Sequence, residues 1–362
     1  MLAAELPLAG LMVLDFSQFL AGPVAALRLA DLGARVIKVE RPGAGEIGRT
    51  LAFAGRWADE DTVSFHAMNR NKEAVVADLK DPRDLEQVKR LVARADVLIH
   101  NFRPGVMERL GLDYDAVREL NPGLVYAAAS GYGGEGPWAG RPGQDLLAQS
   151  VSGLAWANGA DRPVTVGLSL ADHLLSCHIA EGVTALLVRK ARTGRGGLIE
   201  SSLLEAMLDL QSERLTARLN PHLPKPPDST KVPGVYRTAD GYLAIVAAEE
   251  DLRDVEGLEQ LGDLDELEDR LGVADTAYWV EVLGARGVEC APLQTLEELL
   301  ASAEFAAIEM TQTVARPPID AGDAPLRLMT TRSPIRIDGE VLRSHRAAPR
   351  LGAQGHVGAL RE

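Results

Sequence analysis

The sequence predicts an α/β protein with a parallel β-sheet in a large domain and a second, smaller α+β domain. Two observations support this fold class. Short β-branched runs alternate with segments of helical periodicity over residues 1–215, and a proline-rich stretch then leads into a segment of different charge. Strands that alternate with helices are typical of parallel sheets covered by helices on both faces.

The first strand is expected in residues 11–16 (LMVLDF), which a Gly-Pro pair and a helix ending near Gly33 follow. The run RVIKVE (35–40) predicts the second strand. The same alternation then predicts strands at 74–79, 96–100 and 124–130, helices over 82–95, near 105–110 and over 113–120, a long helix over 172–192, and one more strand and helix within 198–215.

Residues 220–234 contain five prolines and indicate a linker. Residues 231–310 hold 5 basic and 19 acidic side chains, which equals the whole net charge of −14, and the strand pair expected within 236–248 opens this segment. We therefore expect four segments: a first part of the large domain (1–215), a linker (216–233), a small acidic domain (234–315), and a C-terminal segment (325–362) that returns to the large domain.

Composition excludes several classes of protein. The 362 residues carry 38 Lys and Arg against 52 Asp and Glu, and this acidic balance argues against nucleic-acid binding. The apolar runs are too short to cross a membrane. Only two cysteines occur, which favours a reduced, cytoplasmic compartment. The histidines are scattered, and no metal site is expected.

Ligands of open parallel sheets bind beyond the carboxyl ends of the strands. Two of these ends carry cations, Lys38 with Arg41 and Arg103 with Arg109. They either bind an anionic, phosphorylated ligand or are ordinary surface charges. The phosphate-binding motifs GxGxxG and GxxxxGK[ST] and the serine motif GxSxG are absent from the sequence.

Asp172 lies where a polar extended segment meets the long apolar helix. It either caps that helix or is a nucleophile that the helix dipole keeps ionised. Cys177, in the same helix, is expected to be a small core residue.

Several segments carry a resemblance to a known family: 13–23 (VLDFSQFLAGP), 29–49, 69–82, 95–112 (ADVLIHNFRPGVMERLGL), 121–154 and 189–208. Together they resemble the family III CoA-transferases, which include formyl-CoA transferases, carnitine CoA-transferases and α-methylacyl-CoA racemases. The resemblance covers nearly the whole chain.

The resemblance implies a Rossmann-like large domain built from both ends of the chain, and an interlocked homodimer. It implies acyl-CoA and a carboxylic acid acceptor as substrates, with coenzyme A as the carrier and no metal. It matches Asp172 to the catalytic aspartate, which attacks the thioester carbonyl and forms covalent aspartyl intermediates. The positions that it matches to the CoA contacts are Arg41, Ala77, Lys80, Asn101, Phe102, Arg109 and Leu110.

Three departures from the family pattern narrow the function. Leu20 and Gln144 replace the glutamine and tyrosine of formyl-CoA transferases, and residues 216–233 hold no glycine to form their flap. Racemases have a histidine at the position of Gln144, and an amide cannot transfer protons as that histidine does. The expected function is CoA transfer through Asp172, with Gln144 beside it. The alternatives are an α-methylacyl-CoA racemase or epimerase and a non-catalytic acyl-CoA-binding homologue.

Overall fold

The computed structural model describes residues 5–157, 161–224, 234–252, 255–258, 264–318, 324–344 and 346–360. Half of the predicted linker, residues 225–233 of 216–233, lies outside the described residues. The chain forms two compact units, one of Met1–Leu219 with Met310–Glu362 and the other of Asn220–Glu309. The domain limits given above stay predictions.

The described part of the chain contains short strands spread over both units. They are β1 (Met12–Asp15), β2 (Arg35–Glu40), β3 (Trp57–Ala58), β4 (Asp61–Thr62), β5 (Glu73–Val76), β6 (Val97–His100), β7 (Val125–Ser130), β8 (Gly197–Ser202), β9 (Gly234–Arg237), β10 (Tyr242–Val246), β11 (Glu289–Pro292), β12 (Thr311–Arg316), β13 (Leu326–Thr331), β14 (Arg336–Ile337) and β15 (Glu340–Val341).

Helices alternate with the strands in the larger unit, and further helices lie in the second unit. They are α1 (Ala21–Asp31), α2 (Val63–Asn69), α3 (Pro82–Val92), α4 (Val106–Leu110), α5 (Tyr114–Leu120), α6 (Asp145–Val151), α7 (Leu170–Thr193), α8 (Leu203–Leu210), α9 (Ser212–Leu219), α10 (Glu249–Leu252), α11 (Leu264–Leu271), α12 (Thr276–Ala285), α13 (Leu296–Ala301) and α14 (Ala303–Ile308).

A six-stranded parallel sheet in the order β5-β2-β1-β6-β7-β8 forms the centre of the larger unit. The predicted α/β class is confirmed. From β1 the chain builds outward through β2 and β5, and it then returns to the other side of β1 with β6. The strand order therefore reverses between β1 and β6, and ligands of such sheets bind in the crevice at this point.

Both faces of the sheet are buried, which explains the continuous apolar runs in the sequence. Successive residues of β1 point to opposite faces: Val13 packs with α1 and α7, whereas Leu14 packs with α3 and α5. The predicted strand at 74–79 ends earlier, at Val76, because Asp84 accepts a hydrogen bond from the Asp78 N–H (2.8 Å) and turns the chain toward α3.

The second unit contains the predicted antiparallel strand pair, β9 with β10, and adds β11 on the other edge of β10. Its core centres on Trp279 of α12, which is 1% exposed and donates its indole N–H to the Leu271 carbonyl (2.8 Å). An aromatic ring whose polar atom is satisfied in this way can be buried without penalty.

The last residues of the chain contact the N-terminal half. The side chain of Gln354 accepts a hydrogen bond from the Ala74 N–H (2.6 Å), and His356 forms a bridge to Val76. Arg316 of β12 pairs with Asp61 (2.6 Å) and Asp59 (2.9 Å) while it is 4% exposed. These bonds fix the C-terminal segment beside the outer strand of the parallel sheet.

Candidate active site

The carboxyl ends of β1, β2, β5 and β6 lie at one edge of the sheet, since these strands are parallel. Several predicted site residues follow directly from these ends: Arg41 after β2, Ala77 after β5, and Asn101 and Phe102 after β6. The fold therefore places residues that are far apart in the sequence along a single edge.

Asn101 spans the point where the strand order reverses. Its Oδ1 accepts a hydrogen bond from the Gln18 N–H (2.8 Å), and its Nδ2 donates to the Gln18 carbonyl (2.7 Å). Gln18 follows β1 and Asn101 follows β6, so the two bonds join neighbouring strand ends. Both amide atoms of Asn101 thus contact the protein backbone.

Arg41, Ala77 and Lys80 lie on the β2–β5 side of this edge. The Ala77 N–H donates to the Glu40 carbonyl (2.8 Å), which brings the chain after β5 against the chain before Arg41. Arg41 is exposed and donates its Nε to the Gly45 carbonyl (2.8 Å). Lys80 is exposed in the turn before α3. Two cations therefore face solvent here, a suitable arrangement for phosphate groups.

Phe102, Arg109 and Leu110 lie on the β6 side. The Phe102 ring stacks on His100, with ring centroids 6.1 Å apart. Burial lowers the pKa of His100 to about 4, so its ring is neutral at pH 7. Leu110 packs against the same core as Phe102, and Arg109 is exposed on α4.

Lys38 does not belong with the exposed cations, and both alternatives given for it, a ligand contact and an ordinary surface charge, are wrong. Its side chain is fully buried, and its Nζ lies 3.7 Å from Asp15 and 3.7 Å from Glu46. Although burial disfavours the charged carboxylate, Lys38 and Lys72 hold the pKa of Asp15 at about 2. Lys38 is an internal counter-ion.

Asp172 is the third residue of α7, and the capping alternative is wrong. Ser169 occupies the N-cap position of α7. The backbone N–H of Ala21, the first residue of α1, instead lies near the Asp172 carboxylate and favours its ionised form. A helix N-terminus favours negative charge, so α1 stabilises the carboxylate from a neighbouring element.

The ionisation of Asp172 differs from the expected behaviour. Burial, followed by the negative charge of Asp145, raises the pKa of Asp172 to about 7 despite the Ala21 N–H. The two helix N-termini therefore do not keep the carboxyl fully ionised at neutral pH. A fraction of the Asp172 carboxyl therefore stays protonated at neutral pH, which the sequence did not indicate.

Asp145 and Gln149 of α6 complete the surroundings of Asp172. The Asp145 Oδ2 accepts the Asp172 N–H (3.0 Å), and its Oδ1 accepts Nε2 of Gln149 (2.5 Å). Gln149, 1% exposed, also accepts the Val166 N–H (2.9 Å) and donates to the Leu168 carbonyl (3.1 Å). It therefore links Asp145 to the segment that leads into α7.

Gln144 precedes Asp145 at the N-cap position of α6 and is exposed. It therefore shares this end of α6 with Asp145, whose carboxylate binds the Asp172 backbone. The structure brings Asp172 and Asp145 together, with Gln144 next in the chain, whereas the predicted CoA contacts lie along the strand ends. The chain between β1 and α1 runs from that edge to Asp172.

The glycine-rich loop before Gln144 closes on a pair of glycines. A Cβ on Gly131 would lie 2.5 Å from the Cα of Gly143 and 3.0 Å from its nitrogen. Both neighbours are backbone atoms and cannot swing away. A side chain at either position would therefore force the loop open and move the start of α6.

We expect Gly131→Ala to destabilise the protein by about 2 kcal/mol, because overpacking against backbone cannot relax cheaply. CoA-transfer activity should fall more than stability alone explains, since Gln144 and Asp145 move with the loop. Thermal melting and rate measurements check this. Gly134→Ala is the matched control, because a Cβ there has its nearest neighbour at 3.9 Å. Equal behaviour of the two variants would contradict the prediction.

Among the described residues, no group of three or more His, Cys, Asp and Glu side chains is arranged to hold a metal ion. Within the same ranges, no helix is long and apolar enough to span a membrane.

The family model for CoA-transferase family III matches residues 8–355. The chain belongs to this family. It is a transferase, and both the family and the activity that the sequence resemblance implied are confirmed.

Curated relatives of this family III chain include the acetyl-CoA:oxalate CoA-transferase of Acetobacter aceti, 33% identical over 96% of this chain and 94% of the relative. The probable fatty acyl-CoA transferase Rv3272 of Mycobacterium tuberculosis is 32% identical over 86% of this chain and 88% of that protein. A crystal structure of Rv3272 superposes with a TM-score of 0.81 at 30% identity and covers 98% of this chain and 99% of the other. A CAIB/BAIF family protein from Brucella suis gives a TM-score of 0.81 at 29% identity and 97% coverage of both chains.

The sequence analysis of this family III enzyme missed Gln149 and gave Asp145 no role of its own. A signal for Gln149 exists, since a glutamine at the fifth position of a helix can reach back to an aspartate at the first. The hydrogen bond from the Asp172 backbone to Asp145 spans 27 residues, and its pairing follows from the fold alone.

Proposed function

We propose that this enzyme moves CoA between carboxylic acids through covalent intermediates on Asp172. The observation that carries the proposal is the position of the Asp172 carboxylate, which lies at the N-terminus of α1 and beside Asp145. The loop before α1 starts at the strand-end crevice where the predicted CoA contacts lie. The loop before α1 thus connects the proposed CoA-binding edge to the proposed nucleophile.

Four steps exchange the acids. The carboxylate of Asp172 attacks the thioester carbonyl, the C–S bond breaks, and a mixed anhydride and CoA thiolate form. The thiolate attacks the aspartyl carbon and releases the donor acid, which leaves an aspartyl-CoA thioester. The acceptor carboxylate attacks this thioester, expels the thiolate and forms a second anhydride. The thiolate then takes the acceptor's acyl group, and the Asp172 carboxylate is regenerated.

The surrounding groups support these steps. The Ala21 N–H and the positive end of α1 face the carboxylate that attacks and leaves. Asp145 fixes the backbone of Asp172. We assign Gln144, at the start of α6, as a polar contact for the reacting acyl group.

Arg41, Lys80 and Arg109 are proposed to bind the phosphates of CoA, while Ala77, Asn101, Phe102 and Leu110 form the adjoining nucleotide and pantetheine contacts. All three cationic side chains are exposed. Arg–phosphate pairs are bidentate and stronger than neutral hydrogen bonds.

We expect Arg41→Ala and Arg109→Ala each to weaken CoA binding about tenfold, because each removes a charge-assisted contact. Isothermal titration calorimetry measures the change, and the loss should shrink at high salt. Arg90→Ala, which removes an exposed arginine of α3 that pairs with Glu86, is the matched control. If all three variants bind CoA as the wild type does, the assignment of this edge is wrong.

The sequence left a racemase as the alternative, and a carboxyl group with a pKa of about 7 would suit its proton transfer. Such chemistry needs a second group that exchanges protons, and Gln144 occupies the position where racemases place a histidine. The two functions differ in a simple observable. A racemase exchanges the α-proton of 2-methylacyl-CoA with deuterium from the solvent, and a transferase needs a carboxylate acceptor.

A panel of acyl-CoA esters mixed with carboxylic acids tests the proposal. We expect new acyl-CoA products in mass spectra, dependent on the acceptor, and no deuterium at the α-carbon in D₂O. Deuterium incorporation without an acceptor would favour the racemase. Binding of CoA without any product across the panel would indicate the non-catalytic homologue.

We also propose that the enzyme is a homodimer, interlocked as the family resemblance implies. Large apolar side chains are exposed on α6 and α7 of the single chain, including Leu146 (56%), Val151 (46%) and Val188 (48%). Apolar surface of this extent is typical of protein interfaces. Light scattering should give twice the chain mass of 38.7 kDa. A cytoplasmic location stays a prediction.

A further inference from the structure

Five residues, Phe16–Leu20, connect β1 to α1, and the last four of them, Ser17–Leu20, are here called the α1 loop. Phe19 within it has φ of +64°, a left-handed conformation that is costly for a bulky side chain. Its ring is 40% exposed, so packing of the ring alone does not enforce this conformation. Other contacts must hold the loop.

Three side chains bind the backbone of the α1 loop: Lys38 of β2, Glu46 from the loop after β2, and Asn101 after β6. The Ser17 carbonyl accepts Nζ of Lys38 (2.8 Å). Both backbone groups of Gln18 bind the Asn101 amide (2.8 and 2.7 Å). The Phe19 N–H donates to Oε2 of Glu46 (3.1 Å). Ser17, Gln18 and Phe19 are therefore each held by hydrogen bonds to their own backbone groups.

These anchors are themselves fixed in a buried ionic cluster. Glu46 is 5% exposed, accepts the Gly48 N–H (3.0 Å), and donates its own N–H to Glu40 (3.0 Å). Lys72 Nζ donates to Asp15 (2.8 Å) and to the Pro23 carbonyl in the first turn of α1 (2.7 Å). The other carboxylate oxygen of Glu46, Oε1, lies 3.7 Å from Lys38 Nζ. Buried charges that are paired in this way have little freedom to move.

The α1 loop ends where α1 begins, at Ala21, which packs in the same buried cluster as Ala171 of α7. The Ala21 N–H therefore lies near Asp172 and favours its ionised form. We propose that Glu46 and Asn101 are positioning residues, which hold the α1 loop so that the Ala21 N–H stays directed at Asp172. This inference rests on the proposed function of Asp172. It assigns Asn101 a role that its predicted contact with CoA does not include.

The charges around Asp172 define what the loop contributes. Asp145 of α6 faces it with like charge, and α1 offers the Ala21 N–H. Arg28, farther along α1, donates to Ser176 of α7 (3.3 Å), and burial together with the charge of Arg28 lowers the pKa of the neighbouring His173. If the loop relaxed, the carboxylate would lose the stabilising effect of the Ala21 N–H and keep the repulsion from Asp145. Its ionised form would then be less stable.

Two variants test the role of the loop anchors. Asn101→Ala removes both bonds to Gln18, and Glu46→Gln keeps the size of the side chain but removes its charge. Infrared difference spectroscopy follows the protonated carboxyl band of Asp172 during a pH titration without substrate, with Asp172→Asn assigning the band. We expect the titration midpoint to move to higher pH in both variants. Adduct formation should be about 3- to 10-fold slower at pH 6.5, with less effect at pH 9.

Asn121→Ala is the matched control. Its amide also binds two backbone carbonyls, of Val92 and Ala95 (3.0 and 2.8 Å), away from the α1 loop. Its midpoint should equal that of the wild type even if its melting temperature falls. If Asn101→Ala does not fold, the titration midpoint of Glu46→Gln alone tests the inference.

An unchanged midpoint in a folded loop variant overturns the inference. If wild-type Asp172 forms no adduct, the proposed function fails, and the substrate-free titration still reports on the positioning of the carboxyl.

Discussion

Asp172→Asn is expected to lower the rate of CoA transfer by about 10⁴-fold or more, because the nucleophile of every turnover is lost. The amide has nearly the size of the carboxyl, so it should occupy the same space. The backbone hydrogen bond to Asp145 does not involve the side chain of residue 172. Rates of acyl-CoA exchange, followed by liquid chromatography, measure the effect.

Thermal melting separates this loss from misfolding. The folded-state pKa of Asp172 is about 7 against an ordinary 3.8, so its ionised form destabilises the fold as pH rises through this window. Asp172→Asn should therefore melt above the wild type at pH 8 and close to it near pH 4. The asparagine of Asp172→Asn can deamidate slowly to aspartate and restore the nucleophile, so Asp172→Ala is measured as well. A stable Asp172→Ala protein with wild-type rates would exclude this residue as the nucleophile.

The pH dependence of the reaction is the second large effect. Attack requires the ionised carboxyl, and burial together with Asp145 raises the pKa of Asp172 to about 7. The single-turnover rate should therefore rise through neutral pH and fall about tenfold for each pH unit below 6. Asp145→Asn removes the like charge, so the acid limb, which is the low-pH side of the pH–rate profile, should move to lower pH. Its rate at pH 6 should be about 3- to 10-fold above the wild type.

Asp145→Asn also places an amide against Gln149, which costs about 1 kcal/mol of stability through one lost hydrogen bond. That cost lowers the melting temperature without moving the acid limb. Asp115→Asn, at an exposed aspartate of α5 whose side chain is 79% exposed, should leave the profile unchanged. An acid limb in Asp145→Asn at the wild-type pH would show that Asp145 does not control Asp172.

Sequence reasoning predicted the parallel sheet well for a physical reason. Strands buried on both faces are mostly apolar, as in β6 (Val97–His100, VLIH), which lies within the strand predicted at 96–100. Long helices were predicted for a related reason, but their exposed faces were not. Cys177 was expected in the core and is exposed on α7, because apolar residues of this helix also lie on the side away from the sheet.

The electrostatics of the site depends on pairings between distant residues, which no local pattern specifies. Lys38 has the sequence signature of a strand-end cation, yet the fold brings Asp15 and Glu46 to it and buries all three. Asp172 was singled out by its place at a helix start, and family resemblance gave it a role. That its carboxylate lies near the Ala21 N–H of α1 and near Asp145 could be known only from the fold.

Oxygen transfer from the acceptor tests the central claim most directly. In the proposed steps, an acceptor acid labelled with oxygen-18 leaves one labelled oxygen on the carboxyl of Asp172 when the second anhydride is resolved. After turnover with labelled acceptor, peptide mass spectrometry should find oxygen-18 at Asp172 and none at Asp145. Full conversion of acyl-CoA with no label on Asp172 would contradict a covalent aspartyl pathway.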